Sequence, residues 1–285
     1  MIGCNMFGVA KWMTEDLTAD VKRFQEIGFT SLETNIQLAT KGDQGKAQID
    51  YSKIPKEILE RYKIRGRVIW SMEDAEEKIA TIRAGGLAVK SVHLFGVDTS
   101  AILQERIEDI VAFGKEVKNE YFVLSCFHMG TEKMEAFYPV MEELAGRLAE
   151  IGIGFLYHNH DSECRMQEGR CLLDRVMEAC PHVGIELDVG WAQYAGADVT
   201  KLLRKYGDRI QLIHYKDYDA GLTPEAGARF HQAVGQGDLA LQEITDAIPK
   251  RLKQADRLII DQDDSAGDMF ADLAIGYQNV MQAIS

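Results

Sequence analysis

Tyr157-His158-Asn159-His160-Asp161 closes an apolar run, Ile151-Gly-Ile-Gly-Phe-Leu156. Read as a β-strand, this segment alternates its side chains, so His158 and His160 share one face while Tyr157 and Asn159 take the other. Three further runs end the same way: Glu186-Leu187-Asp188, His214-Tyr215-Lys216 and Asp261-Gln262-Asp263 each place polar groups two residues apart at the end of an apolar stretch. Imidazole and carboxylate in one place suit a divalent cation such as Mn, Co, Zn or Fe, whereas structural zinc prefers thiolates and calcium an all-oxygen shell. The best-placed ligands are one from each of four successive strands: His158, Asp188, His214 and Asp261. No short motif such as H-E-x-x-H supports them, so the expectation rests on strand placement.

The elements that must position these groups alternate along the whole chain. Short apolar runs at 2–7, 29–34, 87–95, 121–128, 154–160, 183–189, 210–216 and 257–262 read as strands. Between them, stretches such as Asp16 to Ile27, Ala101 to Val117, Met134 to Glu150 and Val199 to Tyr206 carry helical spacing. Gly28, Gly152 and Gly207 follow helical patterns, where a left-handed cap is expected. Eight strands alternating with helices in a chain of 285 residues predict an α/β fold, a (β/α)8 TIM barrel. A doubly wound open sheet is the competitor. Residues 36–72 are read as an insertion after strand two, with Gly66 to Ser71 inside it rather than as a ninth strand. With no linker or repeat dividing the chain, a single domain, 1–285, is expected.

Barrel sites lie at the C-terminal strand ends. Glu33 on strand two, His93 on strand three and His128 on strand four join the groups above, so five of seven histidines fall at predicted strand ends. Burying so many polar groups without mutual satisfaction would be costly, and a shared site accounts for them economically. Trp191 and Trp12 are candidate apolar walls. Val234-Gly-Gln-Gly-Asp-Leu239 lacks the full G-x-G-x-x-G spacing; it reads as a turn feeding the helix Leu241 to Leu252, with Asp238 near its N-cap.

Composition narrows the function classes. The chain is 46% hydrophobic and 27% charged, with a formal net charge of -13. That balance argues against nucleic acid as partner. No apolar run approaches the roughly 18 residues that span a bilayer, and Met1 to Gly8 shows no basic leader, so a cytoplasmic location is expected. Five cysteines without a C-x-x-C pair point to reduced thiols. Self-association into a homo-oligomer is left open.

The chain resembles the xylose-isomerase-like TIM-barrel superfamily, which includes sugar phosphate isomerases and epimerases, inosose dehydratases and ketose 3-epimerases. The resemblance runs through Gly28-Phe-Thr-Ser-Leu-Glu33, Gly154-Phe-Leu-Tyr-His-Asn-His160, Glu186-Leu-Asp-Val-Gly-Trp191, Ile213-His-Tyr-Lys-Asp217, Gly235-Gln-Gly-Asp-Leu239 and Ile259-Ile-Asp-Gln-Asp263. It implies one divalent metal, Mn, Co, Zn, Mg or Fe, held by Glu, Asp, His and Glu from strands five to eight. Asp188 and His214 match; His158 and Asp261 replace the two glutamates, so a two-glutamate proton relay does not transfer unchanged. Glu163 or Glu186 is the alternative ligand or base.

The expected activity is a metal-dependent isomerase, epimerase or dehydratase acting on a sugar or cyclitol through an enediolate. His160, Glu163 and Asp261 are the candidate bases; Glu33, His93, His128, Trp191, Lys216 and Asp263 would contact substrate. Competing readings are a 3-keto-glycoside lyase on the same site, an endonuclease IV-like repair enzyme, and a sugar-binding barrel without catalysis.

Overall fold

The computed structural model describes residues 2–38, 65–125, 131–167, 169–254 and 256–285. Eight parallel strands form the barrel: β1 (Gly3–Asn5), β2 (Ser31–Gln37), β3 (Ala88–Phe95), β4 (Tyr121–Leu124), β5 (Gly154–His158), β6 (Gly184–Asp188), β7 (Ile210–Tyr215) and β8 (Leu258–Ile260). Each pairs with the next, and β1 pairs with both β2 and β8, which closes the sheet. The open-sheet alternative is thereby excluded.

The helices α1 (Leu17–Ile27), α2 (Met72–Ala84), α3 (Ser100–Val117), α4 (Tyr138–Ala149), α5 (Leu172–Ala179), α6 (Val199–Tyr206), α7 (Leu241–Ala247) and α8 (Met269–Ile284) follow their strands. Local chemistry sets their ends. The Asp16 carboxylate accepts from the Ala19 N–H at the start of α1, and Gly28 ends it in the left-handed region at φ 116°. Ser71 and Asp198 cap α2 and α6 in the same way. The buried face of α1 carries Val21 and Phe24, which join the large core between strands and helices. Removing such a side chain from water stabilises the fold by about 1.5–3 kcal/mol each.

Several expected boundaries move. The strand expected at 2–7 stops at Asn5, and Phe7–Lys11 forms a 3-10 turn. The strand at 154–160 stops at His158, and that at 257–262 at Ile260. Pro249 separates α7 from a short helix at Lys250–Gln254, where one helix to Leu252 was expected; Pro139 likewise stands at the start of α4. A proline has no backbone N–H to donate and so breaks or begins a helix. Asp238 does not cap α7: Ala240 holds that position, and the Asp238 carboxylate accepts from the Ala220 N–H. Within the Gly66 to Ser71 run, Ile69–Trp70 pairs with β2 as a two-residue strand beyond the end of β1. Residues 39–64 of the expected insertion and the strand-four residue His128 lie outside the described residues.

Inside the barrel, Val123, Leu156, Leu212 and Ile259 form a small apolar plug. The next layer towards the C-terminal strand ends is polar.

Candidate functional site

Register builds this polar layer. His158 on β5 stands beside Glu186 on β6, and Asp188 on β6 beside His214 on β7. Neighbours in register on parallel strands point the same way, so all four enter the barrel. Asn5 and Glu33 pair likewise across β1 and β2. Asn159, on the outward face, locks the rim of β5 to β6: its amide donates to the Asp188 carbonyl and its oxygen accepts the Asp188 N–H, both at 3.1 Å.

Two tiers result. In the deeper one, Glu186 Oε2 lies 2.8 Å from His93 Nε2, 2.9 Å from His158 Nδ1 and 3.2 Å from His214 Nε2. Glu33 Oε2 lies 3.1 Å from His93 Nε2 and 2.7 Å from His214 Nε2, and accepts from the Asn5 amide at 2.6 Å. Ser91 donates to the other Glu33 oxygen. Closer to the mouth, His158 Nε2 lies 4.0 Å from Asp188 Oδ2, and His214 Nδ1 lies 3.3 Å from Asp261 Oδ2. Two histidines thus give one nitrogen to each tier.

Spacing separates the roles of the tiers. Donors around a tetrahedral cation with bonds of about 2.0–2.1 Å stand roughly 3.3 Å apart. The deeper contacts, mostly 2.6–2.9 Å, are those of charge-assisted hydrogen bonds. The upper contacts are wider. One donor atom each from His158, Asp188, His214 and Asp261 lies within 4.8 Å of the others, all four residues are buried, and Asp188 Oδ2 has no hydrogen-bond partner among the described residues. His93, His158, Glu186 and His214 satisfy the same 4.8 Å condition. The upper donors fit a divalent cation, because a buried carboxylate oxygen lacking a partner needs a positive neighbour.

Electrostatics follows from this arrangement. Burial alone would lower the His93 imidazole, but the Glu33 and Glu186 charges outweigh it and push the pKa to about 10. His214 is raised well above its ordinary value against the same burial, by Glu186 and Glu33. Burial opposes ionisation of Glu186, yet His214 and His93 hold it well below the usual carboxylate range. Burial lowers His158, with His214 adding to it. Burial also raises Asp188 to about 7, although the nearby Lys216 opposes the rise.

Lys216 is 2% exposed, with its ammonium 2.8 Å from Asp261 Oδ2 and 2.8 Å from Asp263 Oδ1. Burial would lower its pKa, but Asp261, Asp263 and Asp188 keep it raised. The ammonium also lies 5.7 Å from the Trp191 ring centroid. His160 is pulled well below its ordinary value by burial, then by His158 and Lys216. Its imidazole is therefore neutral near pH 7.

A cavity of about 770 Å³ opens above this floor and is lined by His93, His158, His160, Trp191, Asp261 and Asp263 among others. Six expected site residues thus line one cavity. Asp188, His214, Lys216 and Glu33 are buried around and beneath it. Glu33, expected to touch substrate, instead supports the histidines from below. Trp12 packs on the main core and does not line the cavity.

Glu163, expected as a base or ligand, is engaged elsewhere. The chain turns after β5 into a short helix, Asp161–Cys164, with His160 at its N-cap. Glu163 folds back to accept from the His160 N–H at 3.1 Å and the Ser162 hydroxyl at 2.8 Å, while Tyr157 Oη donates to its other oxygen at 3.0 Å. This is a capping box, and its sequence sign was the three-residue spacing from His160 to Glu163.

Sequence reasoning missed Phe7, Phe95 and His231, which also line the cavity. Phe7 and His231 lie on connections whose path no periodicity specifies. The Gly235–Leu239 segment has a definite job, although not phosphate binding. The Asp217 carboxylate accepts from the N–H groups of Tyr218, Gly235, Gly237 and Leu239 at 2.8–3.0 Å. A Cβ on Gly237 would come within 2.4 Å of Asp217 Oδ1, so the close approach requires glycine.

The comparisons with known proteins agree with this architecture. An inosose dehydratase from Geobacillus kaustophilus is 39% identical over 70 residues, covering 24% of this chain and 22% of that protein. The chain matches about a fifth to a third of the length of its curated relatives. A sugar phosphate isomerase/epimerase from Parabacteroides distasonis superposes with TM-score 0.71 at 16% identity, covering 100% of this chain and 99% of the other. The IOLI protein, solved with a bound zinc atom, superposes with TM-score 0.60 at 14% identity over 99% and 95% of the two chains. The sequence pattern of the xylose isomerase-like TIM barrel matches residues 21–260, and the chain belongs to that family.

Proposed function

We propose that this protein is a divalent-metal-dependent isomerase, epimerase or dehydratase acting on a sugar or cyclitol that carries a carbonyl. The observation that carries the reading is the convergence of His158, Asp188, His214 and Asp261 at the floor of one cavity, with a carboxylate oxygen of Asp188 lacking a hydrogen-bond partner among the described residues. Membership in a family with isomerase, epimerase and dehydratase relatives supports the reaction class.

A divalent cation on these four donors would act as a Lewis acid towards a carbonyl and a neighbouring hydroxyl oxygen. The rest of the chemistry belongs to this chain. His160, half-buried, neutral and on the cavity wall, accepts the proton α to the carbonyl. Its ring lies 4.9 Å from that of His158, which keeps the base next to the polar floor. Lys216 places a fixed positive charge beside Asp261 and Asp263, where it favours negative charge developing on a substrate oxygen. Asp261, already shared by Lys216 and His214, acts in this reading as ligand rather than base. The reading calls for a small-molecule partner, and the formal net charge of -13 disfavours nucleic acid.

The test is hydrogen–deuterium exchange at the carbon α to the carbonyl, followed by NMR across a panel of ketoses and inososes, with metal content measured in parallel. The expected result is exchange that is lost on chelation, restored by Mn, Co or Zn, and absent in His214→Ala. A protein with no affinity for any divalent cation, and activity intact in His214→Ala, would overturn the reading. Product analysis then separates isomerisation, epimerisation and dehydration.

A further inference from the structure

The groups suited to carbonyl chemistry occupy the floor of the cavity and, at His160, one part of its wall. Above them the walls are aromatic. Phe7, just after β1, and Phe95, at the end of β3, stack with ring centroids 5.3 Å apart and planes inclined by 12°. They flank β2. Trp191 follows β6, four strands round the closed barrel from β2, so the two aromatic surfaces face each other across the mouth. Both line the cavity. Trp191 is backed by Phe230, stacked at 5.8 Å, which is in turn backed by Tyr218 at 5.7 Å. The wall is therefore rigid.

Trp191 is 6% exposed, and its indole N–H has no hydrogen-bond partner among the described residues. A buried indole N–H normally finds an acceptor, so this one is available to a ligand. His231 lines the same side, and its Nδ1 also lacks a hydrogen-bond partner among the described residues. At about 770 Å³ the cavity lies in the upper part of the range that encloses drug-sized ligands, and a single hexose leaves much of it unfilled.

We propose that the aromatic upper half of this cavity is a second subsite, taking an uncharged ring joined through a glycosidic oxygen to the sugar or cyclitol on the floor. The inference rests on the proposed function for what occupies the floor. Aromatic faces on two sides suit the C–H face of a pyranose or the plane of an aryl group, and the Trp191 N–H suits an ether or hydroxyl oxygen. Phosphate fits poorly. The amides of the Gly235–Leu239 turn already hold the Asp217 carboxylate, Lys216 is flanked by two aspartates, and Asp98 adds negative charge to the lining. Arg65 also lines the cavity, so a sugar phosphate is one arm of the test.

Calorimetric titration of the Mn-loaded and the chelated protein with methyl β-glucoside, phenyl β-glucoside, cellobiose and glucose 6-phosphate decides the matter. Phenyl β-glucoside or cellobiose is expected to bind about tenfold more tightly than methyl β-glucoside. Phenyl glucoside ahead of cellobiose would identify an aryl group, and the reverse a second sugar. Phe95→Ala is expected to remove the preference, weakening phenyl β-glucoside and cellobiose far more than methyl β-glucoside. Trp191→Phe, which keeps the ring, tests the N–H and is expected to weaken cellobiose binding. Equal affinity for all glycosides, no binding of any glycoside, or tightest binding of glucose 6-phosphate would overturn the subsite. A preference that persists in a protein without divalent affinity would keep the subsite and reject the metal reading.

Discussion

Glu186 lies 2.9 Å from Nδ1 of His158 and so leaves Nε2 of that imidazole directed towards Asp188. A hydrogen bond at one ring nitrogen decides which tautomer the other presents, and partners of this kind tune a metal-binding histidine. Glu186 makes the same contact with His214 and His93. Glu186→Gln is therefore expected to weaken divalent affinity by about 10–100-fold while leaving all four proposed ligands unsubstituted. Competition titration against a chromogenic chelator measures it, with circular dichroism to check the fold. Unchanged affinity in a folded variant would reject this positioning role.

Metal removal has its own signature. A cation that binds only the folded chain stabilises it by about 2.7 kcal/mol at a hundred times its Kd. Thermal unfolding of the chelated protein is expected to shift upward on adding Mn, Co or Zn. Asp188→Asn should remove that shift by taking away one charge that the cation needs. An equal shift in the variant would exclude Asp188 as a ligand.

Alkaline pH should weaken the metal-free fold through His93. Its folded pKa, about 10, lies above the ordinary histidine value, so the folded state binds the extra proton. The associated stability is fully present below about pH 6.5 and is lost as pH rises through about 10. The loss is expected to be on the order of a few kcal/mol. Urea unfolding at intervals from pH 7 to 10 measures the slope, and His93→Gln should flatten it. A slope identical in the variant would assign it to other groups.

Asp217→Ala should be among the most destabilising single changes outside the barrel interior. It strips four backbone N–H groups of their acceptor, and each buried orphan costs about 1–3 kcal/mol. Partial access of water reduces the sum, so a loss of roughly 3 kcal/mol or more is expected, with Asp217→Asn milder. Chemical denaturation gives the value. A loss below that of an ordinary surface substitution would mean the turn holds its shape without this anchor.

Much of the site was legible because a strand repeats every two residues. His158, Glu186, Asp188 and His214 needed only a correct face assignment, and the register then brought them together. The alternation fails where strands stop. His160 shares a face with His158 on paper, but the chain has already turned, and Glu163 is drawn back to cap that turn. His231 and the Phe7–Phe95 stack depend on loop paths and on distant partners, which local pattern does not encode. The deeper tier was half visible. Glu33 and His93 were recognised as polar strand residues, but that they support the upper donors follows only from distances across the barrel.

The apolar plug of Val123, Leu156, Leu212 and Ile259 lies immediately beneath two buried carboxylates and three imidazoles. It makes the barrel a one-ended vessel. Among the described residues the open side of this cavity is the aromatic mouth, so whatever occupies that mouth would also govern how wet the polar floor becomes.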